Sequence, residues 1–188
     1  MQRYYEKDEE GKLELGFADY NPSVLRLVTV PNILLTWAAS LPTLHGGAPF
    51  EEEGELDIDD KLIAEFTEDL TAMGITLSFF SGAWGTEFAT LVEAVPRNTS
   101  AELLVLAAET IYSPAALESF ADVLMNILGT EKGGEAMVAA KKVYFGVGGS
   151  MEDFCVRVEG LGGVVERIRE EEEGVRREVV MVRTNKAA

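Results

Sequence analysis

The sequence predicts an α/β protein: a doubly wound sheet closed at one edge by an antiparallel hairpin. Three observations predict it. The runs LLVLAA (residues 103–108) and AMVAA (136–140) carry no polar interruption, the mark of strands buried on both faces of a parallel sheet. Strand-like and helix-like stretches alternate along the chain, as layered α/β folds require. The last stretch, VVERIREEE and VRREVVMVRT about Gly174, alternates apolar and charged residues, which reads as a two-stranded ribbon.

In chain order, LELGFAD (13–19) is a strand with Asp19 at its carboxyl tip. Asn21-Pro22-Ser23 opens a helix, because Asn21 or Ser23 can cap it and proline suits the first turn. Pro31 falls inside that apolar pattern and is expected to kink or split the helix. Residues 43–60 are an acidic loop, and the apolar face Ile58, Leu62, Ile63, Phe66, Leu70 makes 57–72 an amphipathic helix stopped by Gly74. ITLSFF is the next strand, SGAWG a turn, and 86–94 a short helix. After LLVLAA, Ser113-Pro114 opens a helix through Leu128 with Gly129 as its stop. AMVAA is followed by a glycine-rich turn, and 151–159 reads as a helix before the closing hairpin.

With 188 residues and 47% apolar side chains the chain can bury a sizeable core. No apolar run reaches the ~20 residues of a bilayer span. The charged start MQRYYEKDEEGK has no signal-like apolar stretch. A net charge of −17 repels nucleic acid and anionic membranes and favours a basic partner. The single cysteine, Cys155, forms no internal disulfide and fits a reducing compartment. One histidine and one cysteine assemble no zinc motif, so no metal is expected. His45 reads as a loop residue and Cys155 as core.

Ligands of open sheets bind at the carboxyl ends of parallel strands. Four tips follow. Asp19 suits a ribose diol, or equally a helix cap or turn. Trp84 suits an adenine cover, or a packed edge aromatic. Glu109, placed directly after five or six apolar residues, needs either a partner or a cleft, and small Ala107 and Ala108 before it permit close approach. Residues 146–149, Gly-Val-Gly-Gly, are neither Gly-x-Gly-x-x-Gly nor a P-loop. Flanked by Tyr144 and Phe145, they read as a rim along which a substrate chain passes.

DYNPSVLRLVTVPN, FFSGAW, LAAETIY and KKVYFGVGG occur in this order at fitting distances. Together, from about Leu13 to the C-terminus, they resemble the histidine protein methyltransferases of the seven-β-strand, Rossmann-like class. The resemblance implies S-adenosylmethionine as cofactor and a histidine of a basic, large-subunit ribosomal protein as methyl acceptor. It further implies a monomer in cytoplasm and nucleus, with no direct contact to nucleic acid or membrane. Carried over by position, Phe17, Ala18 and Asp19 hold the ribose. Gly82, Ala83 and Trp84 border the adenine, and Ala107 and Ala108 face the methionine end. Glu109 and Tyr112 take the catalytic Glu-x-x-Tyr positions, with Glu109 fixing the imidazole tautomer or taking its proton. Tyr144, Phe145, Gly146, Gly148 and Gly149 line the substrate mouth.

The chain departs from the pattern twice. The family has Thr-Ser or similar where Ala107-Ala108 stand. Its first strand and Asp-x-Gly-x-Gly-x-Gly loop precede the acid-tipped strand, whereas the eighteen residues before Asp19 hold no such loop. The expectation is therefore one incomplete methyltransferase domain over 1–188, truncated at its N-terminus. Its strand ladder must close differently or stay open, and cofactor binding in isolation is weak or absent. A non-catalytic acidic module that binds a basic protein is the alternative, and an unrelated α/β nucleotide enzyme a third reading.

Overall fold

A computed structural model describes residues 12–41, 56–95, 102–130, 134–146, 148–171 and 174–185. The chain divides into two compact units, 1–82 and 83–188. Most of the expected acidic loop, with His45, lies outside the described residues.

In the first unit β1 (Leu13–Asp19) pairs in parallel with β2 (Ile75–Ser81), Leu13 opposite Ile75 and Asp19 opposite Ser81. A Cβ at Gly16 would lie 3.2 Å from the Phe80 ring, a tight contact that glycine avoids. The crossover holds two helices, α1 (Pro22–Ala39) and α2 (Asp60–Ala72). Asn21 caps α1 by accepting from the Ser23 N–H. Pro31 does not break the helix. Proline cannot donate to the carbonyl four residues back, and the preceding turn, Leu25–Thr29, widens into a π turn in which the Val30 N–H reaches the Leu25 carbonyl. Pro31 thus perturbs the helix through one wide turn without splitting it. α1 is 18 residues long with mean hydropathy 1.2, long and apolar enough by composition to cross a membrane. Its Leu34, Trp37 and Ala38 instead pack against Leu62 and Phe66 of α2. Trp37 meets the Phe66 ring edge-on at 5.2 Å and donates to Asp69 Oδ2 at 3.0 Å. Asp59 caps α2 through the Leu62 N–H, so the helix starts at Asp60, three residues later than the amphipathic pattern begins.

In the second unit β3 (Leu104–Ala108), β4 (Glu135–Lys141), β5 (Gly163–Glu170) and β6 (Arg177–Thr184) form one mixed sheet in the order β3-β4-β6-β5. β3 and β4 are parallel, and β6 returns antiparallel to both β4 and β5, so the closing hairpin is present. The helices are α3 (Thr86–Glu93), α4 (Pro114–Thr130) and α5 (Met151–Gly160). α4 runs through Gly129, the expected stop, to Thr130. Ala136, Val138, Val180 and Val182 face one side of the sheet and are completely buried together with Leu124, Leu128 and Phe154 of α4 and α5. Each buried large side chain stabilises the unit by about 1.5–3 kcal/mol.

The expectation that LLVLAA is buried on both faces is corrected. Leu104 is 54% and Leu106 72% exposed. β3 pairs with β4 alone, and its second edge carries no partner among the described residues. Val105 and Ala107 pack against the core, while alternate residues face outward. The six described strands therefore make two sheets, with β1 and β2 as the edges of one and β3 and β5 as the edges of the other.

Candidate functional site at the strand tips

The second unit builds a polar cluster where β3 ends. Glu109 has φ +55°, the only positive φ at a non-glycine among the described residues. For an L-residue this conformation costs about 1–2 kcal/mol, and such outliers concentrate at functional positions. The strain is held by the sheet: the Glu109 N–H donates to the Ala139 carbonyl at 2.9 Å, extending the β3–β4 ladder by one residue. Its carboxylate is gripped from two other strand ends. Tyr144, in the turn after β4, donates its hydroxyl to Glu109 Oε2 at 2.8 Å. Arg177, the first residue of β6, places Nε 3.5 Å from Glu109 Oε1. Next to it, the Thr110 hydroxyl is buried without a hydrogen-bond partner among the described residues.

Tyr144 is itself tightly constrained. It is 9% exposed, its oxygen accepts the Lys141 backbone N–H at 3.3 Å, and the Lys141 ammonium lies 5.5 Å above its ring. Burial pushes the phenol up to about 12, with the bond to Glu109 adding to the rise. A neutral hydroxyl that already accepts one hydrogen bond aims its proton at the carboxylate. Sequence reasoning singled out Glu109 and Tyr144 separately but did not join them, and it gave no signal for Arg177. That arginine enters only through the register that sets it opposite Lys141.

The other expected substrate residues are placed variously. Tyr112 is 54% and Phe145 91% exposed. Gly146 has φ +80° with open space where a Cβ would be, but Gly149, at φ +96°, would place a Cβ 3.0 Å from the Ile111 carbonyl oxygen. Gly148 would meet the Pro114 ring at 3.2 Å. The glycines at 148 and 149 thus serve close packing of this turn against the segment that follows Glu109. Gly149 and Pro114 also border an open groove of about 340 Å³, with Asp153 and Arg157 among its lining.

The expected cofactor residues divide between the two units: Phe17, Ala18, Asp19 and Gly82 in the first, Ala83, Trp84, Ala107 and Ala108 in the second. Asp19 stands at the tip of β1, where its Oδ1 accepts the Asn21 N–H at 2.7 Å. This is the turn role, and it leaves the second oxygen without a partner among the described residues. Phe17 stacks on Phe79 with ring centroids 5.6 Å apart. Trp84 is packed rather than displayed: it meets Phe88 at 4.7 Å and Phe120 at 6.2 Å, both edge-on, and lies against the main core. An adenosyl sulfonium needs an acceptor for its ribose hydroxyls, an apolar slot for its base and a backbone cradle for its methionine end. Asp19 fits the first. The Trp84 ring is engaged by packing, and no glycine-rich cradle for the last occurs among the described residues. The fit is confined to the ribose end. No group of three or more metal-ligating side chains occurs among the described residues.

The fold and its tips define an α/β protein that in each of its two units carries a carboxylate at the carboxyl end of a parallel strand. Comparison with known proteins gives that class a relationship. The chain is 34% identical to Histidine protein methyltransferase 1 of Saccharomyces cerevisiae across 96% of its own length and 52% of the relative's. It is 38% identical to the protein of that name in Schizosaccharomyces pombe, across 78% of this chain and 41% of that one. The Bos taurus homolog is 31% identical across 79% and 36% respectively. The chain thus spans about half or less of the curated relatives it matches, and over most of its own length it is similar to histidine protein methyltransferases. No protein-family model matches. A solved methyltransferase from Pyrococcus furiosus superposes on 67% of this chain and 59% of its own, with 10% identity and a TM-score of 0.36, a likeness that carries no argument.

Proposed function

We propose that the chain takes part in methyl transfer from S-adenosylmethionine to a histidine side chain of a basic protein, with a large-subunit ribosomal protein as the substrate class. The observation that carries this reading is the similarity to histidine protein methyltransferases across 96% of the chain. Glu109 supports it, as a carboxylate held in a strained conformation at a strand tip.

When bound, S-adenosylmethionine supplies a methyl group on a sulfonium. It would supply an electrophilic methyl group for one imidazole nitrogen, with sulfur departing as a neutral thioether and the positive charge passing to the ring. The task left to the protein is mainly orientation. Glu109 accepts the N–H of the second ring nitrogen. This fixes the tautomer whose other nitrogen keeps its lone pair, and Glu109 then takes that proton from the methylated ring. In the first unit, Asp19 would hold a ribose diol through the oxygen its turn does not use. The surplus of acid, 33 Asp and Glu against 16 Lys and Arg, favours encounter with a basic substrate.

The test is calorimetry of the full chain with S-adenosylmethionine, followed by incubation with cofactor and large-subunit ribosomal proteins and analysis for methylhistidine. Binding that Asp19→Asn weakens, together with methylhistidine formation that Glu109→Gln abolishes, supports the reading. Absence of both, with ribosomal protein still bound, favours the second reading: a non-catalytic acidic module, which rests on the net charge of −17.

A further inference from the structure

We propose that Tyr144 and Arg177 are positioning residues that clamp the Glu109 carboxylate, so that it presents one fixed acceptor to an imidazole N–H. The inference rests on the histidine-directed reading above and adds to it a device that no sequence motif announced.

Three strand ends contribute. Glu109 closes β3, Tyr144 stands in the turn that follows β4, and Arg177 opens β6. The turn is tied down independently of Glu109. The Lys142 N–H donates to the Arg176 carbonyl at 3.0 Å, the Met151 N–H to the Lys142 carbonyl at 3.1 Å, and the Tyr144 N–H to the Gly149 carbonyl at 3.3 Å. A side chain held by three backbone bonds and by burial delivers its hydroxyl to one place. Because the Lys141 N–H occupies a lone pair of the Tyr144 oxygen, the hydroxyl proton has one strong acceptor in reach, Glu109 Oε2.

Arg177 acts differently. At 3.5 Å from Oε1 its guanidinium lies beyond ordinary hydrogen-bond length. It supplies charge on the Oε1 side of the carboxylate while leaving that oxygen's lone pairs unclaimed. The Glu109 side chain is 45% exposed, and Oε1 accepts no hydrogen bond among the described residues, so the carboxylate has an acceptor to offer an external donor. A carboxylate with one oxygen saturated and the other oriented selects a donor by direction. A neutral imidazole is such a donor, with its second nitrogen then presented away from Glu109. A purely structural staple predicts something else: the same contacts, with no consequence for an imidazole ligand.

The experiment uses the full chain with carboxyl-labelled glutamate. The Glu109 signal, assigned by its loss in Glu109→Gln, is followed by NMR at pH about 8, where the probe N-acetylhistidinamide has a neutral ring. The expected result is a saturable shift of the Glu109 signal. A probe methylated on the ring, which has no N–H, is expected to produce none. Tyr144→Phe and Arg177→Ala should each weaken probe binding about five- to tenfold, the scale of one ordinary polar contact. Arg177→Lys should recover most of the loss, because charge and not the guanidinium fork is what Arg177 supplies. Both sites tolerate change: Arg177 is half exposed, and phenylalanine keeps the volume of Tyr144. Unchanged probe affinity in both variants, or a Glu109 signal indifferent to the probe in the unaltered chain, overturns the proposal. If the binding pattern appears but no methylhistidine forms, the clamp stands and the methyl-transfer reading falls.

Discussion

Replacing one leucine by alanine at two places tests the description of β3 quantitatively. Leu124, on α4, is 1% exposed and sits in the main core. Truncating such a residue loses its transfer energy and leaves a cavity, about 2–5 kcal/mol. Leu106, in the middle of β3, is 72% exposed. Less than a third of its surface is there to lose, and full burial of a leucine is worth about 1.5–3 kcal/mol, so Leu106→Ala should cost below about 1 kcal/mol. The assay is urea unfolding read by tryptophan fluorescence. The chain has two tryptophans, Trp37 in the first unit and Trp84 against the core of the second. A Trp37→Phe background therefore leaves Trp84 as the reporter of the unit that holds both leucines. Equal costs at 106 and 124 would refute the reasoning, because they would mean that the outer face of β3 is covered, as its uninterrupted apolar sequence suggests.

Gly163→Ala should destabilise the second unit by about 1–3 kcal/mol in the same urea assay, since a Cβ there would lie 2.5 Å from Val158 Cγ1. Val158 is fully buried and cannot move aside. Cys155 is buried with its thiol pushed up to about 11, chiefly by that burial, so a thiol reagent at pH about 8 should label it only once urea unfolds the unit. Both Cys155 and Tyr144 have folded-state values above their ordinary 9.0 and 10.0. The folded chain holds these protons more tightly, and this stabilisation is present below pH 9 and lost as pH rises towards 12. Alkaline titration followed by circular dichroism should show unfolding that begins earlier in Glu109→Gln, because the bond that helps to raise Tyr144 is then weaker.

Much of the fold was legible where a local rule had a single physical outcome. Asn21-Pro22 capped its helix as read, since an amide acceptor followed by a residue without N–H leaves few alternatives. The closing hairpin was legible from period-two alternation, and β6 buries Glu178, Val180 and Val182 in that rhythm. The rule failed at LLVLAA because an apolar run reports what a strand is suited to, whereas burial depends on neighbours the sequence does not list. It failed at Pro31 because a proline's missing donor can be met by widening one turn rather than by breaking the helix. Glu178 illustrates the same limit. It is 2% exposed, with Arg167 Nη1 3.1 Å from its Oε1 yet misaligned for a hydrogen bond. Nothing in REVVMVRT marks that glutamate as the buried one. The Glu109–Tyr144–Arg177 cluster was invisible for the same reason: register and turn geometry, not spacing, bring its members together.

The assigned site residues fall into two physical kinds, and the distinction decides what a ligand can use. Trp84 between two aromatic rings, Phe17 stacked on Phe79, and Gly148 and Gly149 pressed on backbone already have their surfaces engaged. A ligand that needed them would have to displace those contacts, and close-packed aromatic surfaces are costly to open. The second oxygen of Asp19 and Oε1 of Glu109 accept no hydrogen bond among the described residues. A carboxylate accepts more than one hydrogen bond, so the turn bond from Asn21 does not compete with a ribose diol at Asp19. Asp19→Asn separates the two roles, since its amide oxygen still receives the Asn21 N–H while its amide nitrogen cannot accept from a second hydroxyl. On the proposed reading, recognition at these tips would fall to polar groups with a lone pair in reserve, with the aromatic residues around them as framework.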